Sequence, residues 1–182
     1  MTGRVFNLEF AWKMSPDQAD VAATALARAA TARFGAASLV IGIANGGIQP
    51  ATAIAKSLGA PLARIQARHN ATSDIGVQAT GNVWCRLPDL APGLVHGTVL
   101  VVDDIYGTGA TLDAATTALG ELTVPGTRLH TITLCRNAGA QARPSLTIWD
   151  DLREWVVFPW EAEPVDGTVL RPLPTPGEVH AA

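Results

Sequence analysis

Two hydrophobic patterns alternate along this chain. Val21, Ala22, Ala25, Leu26, Ala29 and Ala30 return at the spacing of one helix face, out to about Phe34. Ser15-Pro16-Asp17-Gln18 marks that helix's start, with Ser15 as cap, Pro16 at the first helical position and Gln18 reaching back. SLVIGI (38–43) is instead an unbroken apolar run, which suits a strand covered on both faces. After the turn Ala44-Asn45-Gly46-Gly47 a second helix is predicted from about Gln49 to Leu58, closed by Gly59, and then a strand over 61–65. TVLVV (98–102) is another buried strand, running into DDIYGTGAT and a helix to about Leu122; LHTITL (129–134) is the next strand. The apolar runs SLTIW and EWVVFPW follow, and a tail rich in Pro and Gly from Glu163 reads as irregular or an arm. Residues 66–95 carry weak periodicity, which reads as a long excursion of the kind that is usually functional. Strands alternating with helices predict an α/β fold: a mainly parallel, twisted sheet flanked by helices, with ligands at the carboxyl ends of its strands.

Composition narrows the field. The chain has 182 residues and 48% hydrophobic content, enough for one domain with a core that needs no staples. Cys85 and Cys135 are the two cysteines, and neither a disulfide framework nor a CxxC metal motif is present. The net charge is −3 without a basic run, so no nucleic-acid partner is expected. Arg4, Glu9 and Lys13 interrupt the first apolar residues, and no stretch approaches the roughly 20 apolar residues that span a bilayer. The expectation is a soluble, cytoplasmic protein without a membrane partner.

The densest chemistry lies after TVLVV. Asp103 and Asp104 supply ionised acceptors, which suit the vicinal hydroxyls of a sugar. Gly107-Thr108-Gly109-Ala110-Thr111 turns into a helix, so backbone N–H groups, a helix amino terminus and two threonine hydroxyls converge as a phosphate cradle. Together they describe a site for ribose 5-phosphate. A P-loop is excluded because GxxxxGK[ST] needs a lysine that is absent. A dinucleotide fingerprint is excluded because Leu112 stands where a third glycine is required.

The stretch VLVVDDIYGTGATL (99–112) resembles the phosphoribosyl pyrophosphate signature of type I phosphoribosyltransferases: four apolar residues, two acids, a short variable stretch and a T-G-x-T turn. The resemblance implies that Asp103 and Asp104 are catalytic and bind the ribose hydroxyls. It implies that Tyr106, Gly107, Thr108, Gly109, Ala110 and Thr111 bind the 5-phosphate. Ala44, Asn45, Gly46 and Gly47 match the family's pyrophosphate loop, with the uncharged Asn45 where a basic residue is common. Arg68, or Arg64, would then help neutralise pyrophosphate together with Mg²⁺. Residues 70–95 correspond to the flexible loop that closes over substrate and excludes water.

Three of the chain's five tryptophans lie in 149–160. WVVFPWE (155–161) resembles the end of the hood in purine phosphoribosyltransferases of the hypoxanthine, guanine and xanthine group. That implies a hood over 143–162 within a domain covering 1–162, followed by a tail over 163–182. Trp155 would stack on the base, Val156 would offer backbone groups to its edge, Arg143 would contact an oxo group, and Glu161 would help hold Mg²⁺. The implied reaction is Mg²⁺-dependent transfer of a 5-phosphoribosyl group from phosphoribosyl pyrophosphate to a purine-like nucleobase, in a homodimer. One position departs from the oxopurine pattern: Gly107 stands where that group carries an aspartate, and glycine exchanges no proton. A deazapurine or another heterocycle therefore stays open as acceptor, as does a non-catalytic regulator that only binds phosphoribosyl pyrophosphate.

Overall fold

The computed structural model describes residues 7–68, 83–86, 90, 93, 95–164 and 167–182. Its elements run β1 (Asn7–Lys13), α1 (Pro16–Phe34), β2 (Leu39–Ala44), α2 (Ile48–Leu58), β3 (Leu62–Arg68), β4 (Trp84–Arg86), β5 (Thr98–Tyr106), α3 (Ala110–Gly120) and β6 (Arg128–Asn137). Five short strands follow: β7 (Leu146–Thr147), β8 (Trp149–Leu152), β9 (Glu154–Val157), β10 (Leu170–Pro172) and β11 (His180–Ala181). The excursion expected over 70–95 lies largely outside the described residues; within it β4 pairs antiparallel with β3.

The eight-stranded main sheet has the order β11-β7-β6-β5-β2-β3-β4, with β8 also on β6. Its centre, β3-β2-β5-β6, is parallel throughout. Alternation along each strand explains the unbroken apolar runs. Val40, Leu100, Val102, Ile132 and Leu134 face α1 and α2, whereas Leu39, Ile41, Ile43, Val99 and Val101 face α3. Both faces are covered, so neither can be polar.

Local chemistry sets the helix ends. Ser15 and Gln18 form a reciprocal capping box at the start of α1, with bonds of 3.1 and 2.9 Å, and Pro16 occupies the first turn. Gly59, in the left-handed region at φ 62, closes α2. No helix among the described residues is long and apolar enough to cross a membrane.

Two departures from the sequence reading matter for the site. β5 does not stop at Val102 but continues through Asp103 and Asp104 to Tyr106, because β6 supplies partners for that extension: Asp103 opposite Thr133, Ile105 opposite Cys135 and Tyr106 opposite Arg136. The tail from Glu163 is not irregular throughout. β10 pairs with β1, Leu173 is 3% exposed, and β11 closes the sheet edge on β7. The hood is a three-stranded sheet of order β10-β1-β9, so its central strand comes from the amino-terminal part of the chain.

Candidate active site

Strand order places the site. From β2 the chain crosses to β3 on one side, and β5 and β6 then fill the other, so the direction of winding reverses between β2 and β5. Open parallel sheets bind ligands outside the carboxyl ends of the strands at such a reversal. The two glycine-bearing turns, 44–47 after β2 and 107–109 after β5, lie there side by side.

Close packing holds them together. A Cβ on Gly46 would stand 1.9 Å from Asp104 Oδ2 and 2.4 Å from its Cγ. A Cβ on Gly47 would stand 2.3 Å from the Val102 carbonyl oxygen and 2.8 Å from Asp103 Cα. The β2–α2 turn therefore rests on the end of β5, and only glycine permits that approach. The Ala44–Asn45 peptide in the same turn is cis.

Asp103 and Asp104 are each 9% exposed. Strand alternation sends Asp104 to the α2 side, where Gly46 covers it, and Asp103 to the α3 side. Asp103 Oδ1 accepts the Asp104 backbone N–H at 3.0 Å, which fixes the first carboxylate against the main chain. The Cys135 thiol sits near this pair. Burial pushes its pKa well up, and the charge of Asp104 adds to the effect.

The turn after β5 has the chemistry to hold an anion. Gly109, at φ 92, is the N-cap of α3 and has no side chain with which to cap it. Thr108 is exposed, and its Oγ1 meets the Ala110 N–H at a long 3.4 Å. Ala110 and Thr111 are half-buried in the first turn. α2 likewise begins at Gly47 with no side-chain cap and no acidic residue in its first turn. Two helix amino termini without side-chain caps thus meet at one strand reversal, and each carries partial positive charge.

Tyr106 differs from its neighbours. Its ring is buried beneath the turn, and a Cβ on Gly109 would stand 2.3 Å from its Oη. Burial raises the phenol's pKa, the charge of Asp113 raises it further and Arg136 opposes both. The Tyr106 side chain supports the turn from below, as buried Gly107 does with its backbone.

Trp155 is half-buried on β9 and Val156 is buried, in register with Ala11 and Trp12 of β1. β9 is an edge of the hood sheet, so the main chain on its outer side faces away from β1. Glu161 is exposed, and its Oε2 accepts the Phe158 N–H at 3.0 Å, closing the turn after β9. Arg143 is exposed and hydrogen-bonded to Asp150. Arg68 ends β3, and its side chain lies outside the described residues.

The cation that the fold does bury at this end of the sheet is Arg136, 5% exposed at the end of β6 and opposite Tyr106. Sequence reading passed over it. The only signal was an arginine directly after the apolar run LHTITLC, where strand and loop are hard to tell apart.

No cluster of three or more His, Cys, Asp or Glu forms a metal cage among the described residues. The paired carboxylates of Asp103 and Asp104 are hard oxygen donors. They suit a magnesium ion that takes most of its ligands from substrate oxygens and water.

A family model described as the phosphoribosyl transferase domain matches residues 18–166. No curated protein matches the sequence. Among solved structures, a purine phosphoribosyltransferase from Pyrococcus horikoshii Ot3 superposes with a TM-score of 0.69 at 26% identity, over 84% of this chain and 95% of that one. A xanthine-guanine-hypoxanthine phosphoribosyltransferase from Helicobacter pylori gives 0.66 at 18% identity, over 82% and 94%. A hypothetical protein from Neisseria gonorrhoeae with bound ppGpp gives 0.66 at 21% identity, over 86% and 92%.

Proposed function

This chain belongs to the phosphoribosyl transferase domain family, and from that premise we propose that it moves the 5-phosphoribosyl group of phosphoribosyl pyrophosphate onto a ring nitrogen of a purine-like base. The observation that carries this reading is the meeting of two helix amino termini without side-chain caps, α2 and α3, around the buried Asp103–Asp104 pair. A doubly anionic sugar is the ligand such an arrangement fits.

The 5-phosphate binds the main-chain N–H groups of 107–111 and the hydroxyls of Thr108 and Thr111. Asp103 and Asp104 accept the ribose hydroxyls. The pyrophosphate lies against Ala44-Asn45-Gly46-Gly47 at the start of α2, where the missing basic side chain at Asn45 leaves neutralisation to the helix terminus and to Arg68. Asp103 and Asp104 would help hold a magnesium ion together with substrate oxygens and water, and when bound it would supply charge neutralisation for the leaving group.

The base stacks on Trp155 and takes hydrogen bonds from the outer edge of β9 at Val156. Arg136, at the end of β6, and Arg143 beyond it stand on the acceptor side, both paired with carboxylates. A lone pair on the base nitrogen forms the bond to the anomeric carbon, the carbon–oxygen bond to pyrophosphate breaks, and pyrophosphate leaves with that electron pair. The transition state has oxocarbenium character, so the two carboxylates beneath the ribose stabilise it electrostatically. Gly107 takes no proton, so any proton on the base passes to water. An acceptor without that proton, such as a deazapurine, suits the site equally, and the assay below separates the two.

The test is pyrophosphate release from phosphoribosyl pyrophosphate with magnesium across a panel of purines, deazapurines and pyrimidines. At least one fused-ring base should be turned over, and Asp104→Asn should slow it by about a hundredfold or more while the chain stays folded. The absence of release with every base, together with no calorimetric uptake of phosphoribosyl pyrophosphate, refutes the assignment. Uptake without turnover by any base identifies a binding protein instead.

A further inference from the structure

Outside the proposed phosphate and diol subsites, Asp150 and Asp151 converge on one buried cation. They are successive residues of β8, and successive strand residues ordinarily point to opposite faces. Here both carboxylates reach one guanidinium. Arg136 Nε lies 2.6 Å from Asp150 Oδ1, and Arg136 Nη2 donates to Asp151 Oδ1 at 3.1 Å. The first is an ion pair that lacks in-line hydrogen-bond geometry; the second is a hydrogen bond.

Backbone conformation makes this convergence possible. Asp151 sits at φ 60, and it is the sole non-glycine with positive φ among the described residues. That conformation costs roughly 1–2 kcal/mol for an L-residue, least for Asp and Asn. A strained residue at a site edge calls for a function that repays it.

The rest of the network is equally specific. Arg136 Nη1 donates to the carbonyls of Asn137 and Ala140, at 3.1 and 3.2 Å, which closes the loop after β6. The Asp150 side chain is 11% exposed and also takes the Arg143 guanidinium. The Ala138 N–H donates to the Leu152 carbonyl at 2.8 Å, which ties the same loop to the end of β8. Trp155 follows Leu152 by three residues.

We propose that Asp150 and Asp151 are positioning residues for the acceptor. They fix the Arg136 guanidinium and, through the β6–β8 junction, the strand that carries Trp155. Their ion pairs run to Arg136 and Arg143, and not to the turns 44–47 and 107–111 proposed for pyrophosphate and phosphate. The pair therefore governs affinity for the base and leaves affinity for phosphoribosyl pyrophosphate alone. This inference rests on the transferase reading above.

The experiment measures kcat and both KM values for wild type, Asp150→Asn and Asp151→Gly. Asp151→Gly removes the carboxylate while suiting the positive φ better, so it separates positioning from stability. Asp150→Asn should raise the acceptor KM about tenfold, and Asp151→Gly about threefold, with the KM for phosphoribosyl pyrophosphate within about twofold of wild type. The melting temperature of Asp151→Gly should not fall. If Asp150→Asn proves unstable, Asp151→Gly carries the test alone. An active enzyme whose acceptor KM ignores both changes, or whose two KM values rise together, overturns the inference and leaves the transferase reading intact. A wild-type chain that transfers to no base refutes that reading and takes this inference with it.

Discussion

Gly46→Ala sets one methyl group against the Asp104 carboxylate. Ordinary contact for a Cβ begins at 3.4 Å, and the new atom would stand at 1.9 Å, so the carboxylate must retreat by about 1.5 Å (3.4 less 1.9). Three atoms of that group lie within 2.8 Å of the new Cβ, and Asp104 is buried, so a small rotation does not clear it. A misplacement of about 1 Å at a reacting centre costs roughly a hundredfold in rate. We predict a loss of about a hundredfold or more in kcat/KM for Gly46→Ala. The overpacking itself costs about 1–3 kcal/mol of stability.

Gly47→Ala makes the comparison informative. Its Cβ meets backbone, the Val102 carbonyl oxygen at 2.3 Å, which cannot rotate away. That variant should lose more stability than Gly46→Ala. Gly177→Ala, with nothing within 4 Å, should change neither property. Pyrophosphate release gives the rates, and urea denaturation followed by circular dichroism gives the stabilities. A folded Gly46→Ala protein with wild-type kcat/KM refutes the claim that this turn is fitted to Asp104.

Other parts of the structure yield further expectations. Gly109→Ala combines a φ of 92 with a 2.3 Å approach to Tyr106 Oη, so it should destabilise the fold by about 2 kcal/mol or more and lower affinity for phosphoribosyl pyrophosphate, both readable by calorimetry. At Asp150, burial alone would push the carboxyl up. The Arg143 hydrogen bond and the charges of Arg136 and Arg143 outweigh burial and hold it below the usual carboxylate range. A folded-state value below the unfolded one means that Asp150 stabilises the protein above about pH 4 and that this contribution disappears as pH falls through the depressed value. The difference in urea midpoint between wild type and Asp150→Asn should accordingly shrink below about pH 4; a gap unchanged at pH 3 contradicts the ion pairs. Leu173→Ala should cost about 2–5 kcal/mol in the same denaturation assay, because Leu173 is 3% exposed and anchors the tail onto α1 and β1. A cost within error of zero would mean that the tail does not dock in solution.

Much of the central fold is visible in the sequence because it rests on local rules. Ser15-Pro16-Asp17-Gln18 specifies a cap wherever it occurs, and LVIGIA and TVLVV need only two covered faces to make sense. The turn into α3 is legible for the same reason, since its glycines, threonines and following helix are contiguous. What escaped depends on distant partners. β1 has a period-two pattern in Leu8, Phe10 and Trp12, yet that pattern becomes a strand only when β9 and β10 flank it. Arg136 looks like a loop arginine until Asp150 and Asp151 close on it. Arg143 drew attention from its context, but the fold leaves it exposed and partnered with Asp150. Residues 103–106 read as a turn because acids rarely continue a buried strand, whereas the extension of β6 past Leu134 keeps them in the ladder.

The hood's central strand imposes an order on biosynthesis. β1 is synthesised before its partners, but Ala11 pairs with Trp155 and Leu170, so its nearer neighbour arrives 144 residues later (155 less 11). At about 5–20 residues per second that is a wait of roughly 7–30 s, during which a ribbon bearing Phe10 and Trp12 has neither edge covered. The sheet of β2, β3, β5 and β6 has no such dependence and can form while translation continues. A nascent chain can therefore complete the sheet that carries Asp103 and Asp104 before the three-stranded sheet exists, and that smaller sheet closes only once β9 and β10 have come back to β1.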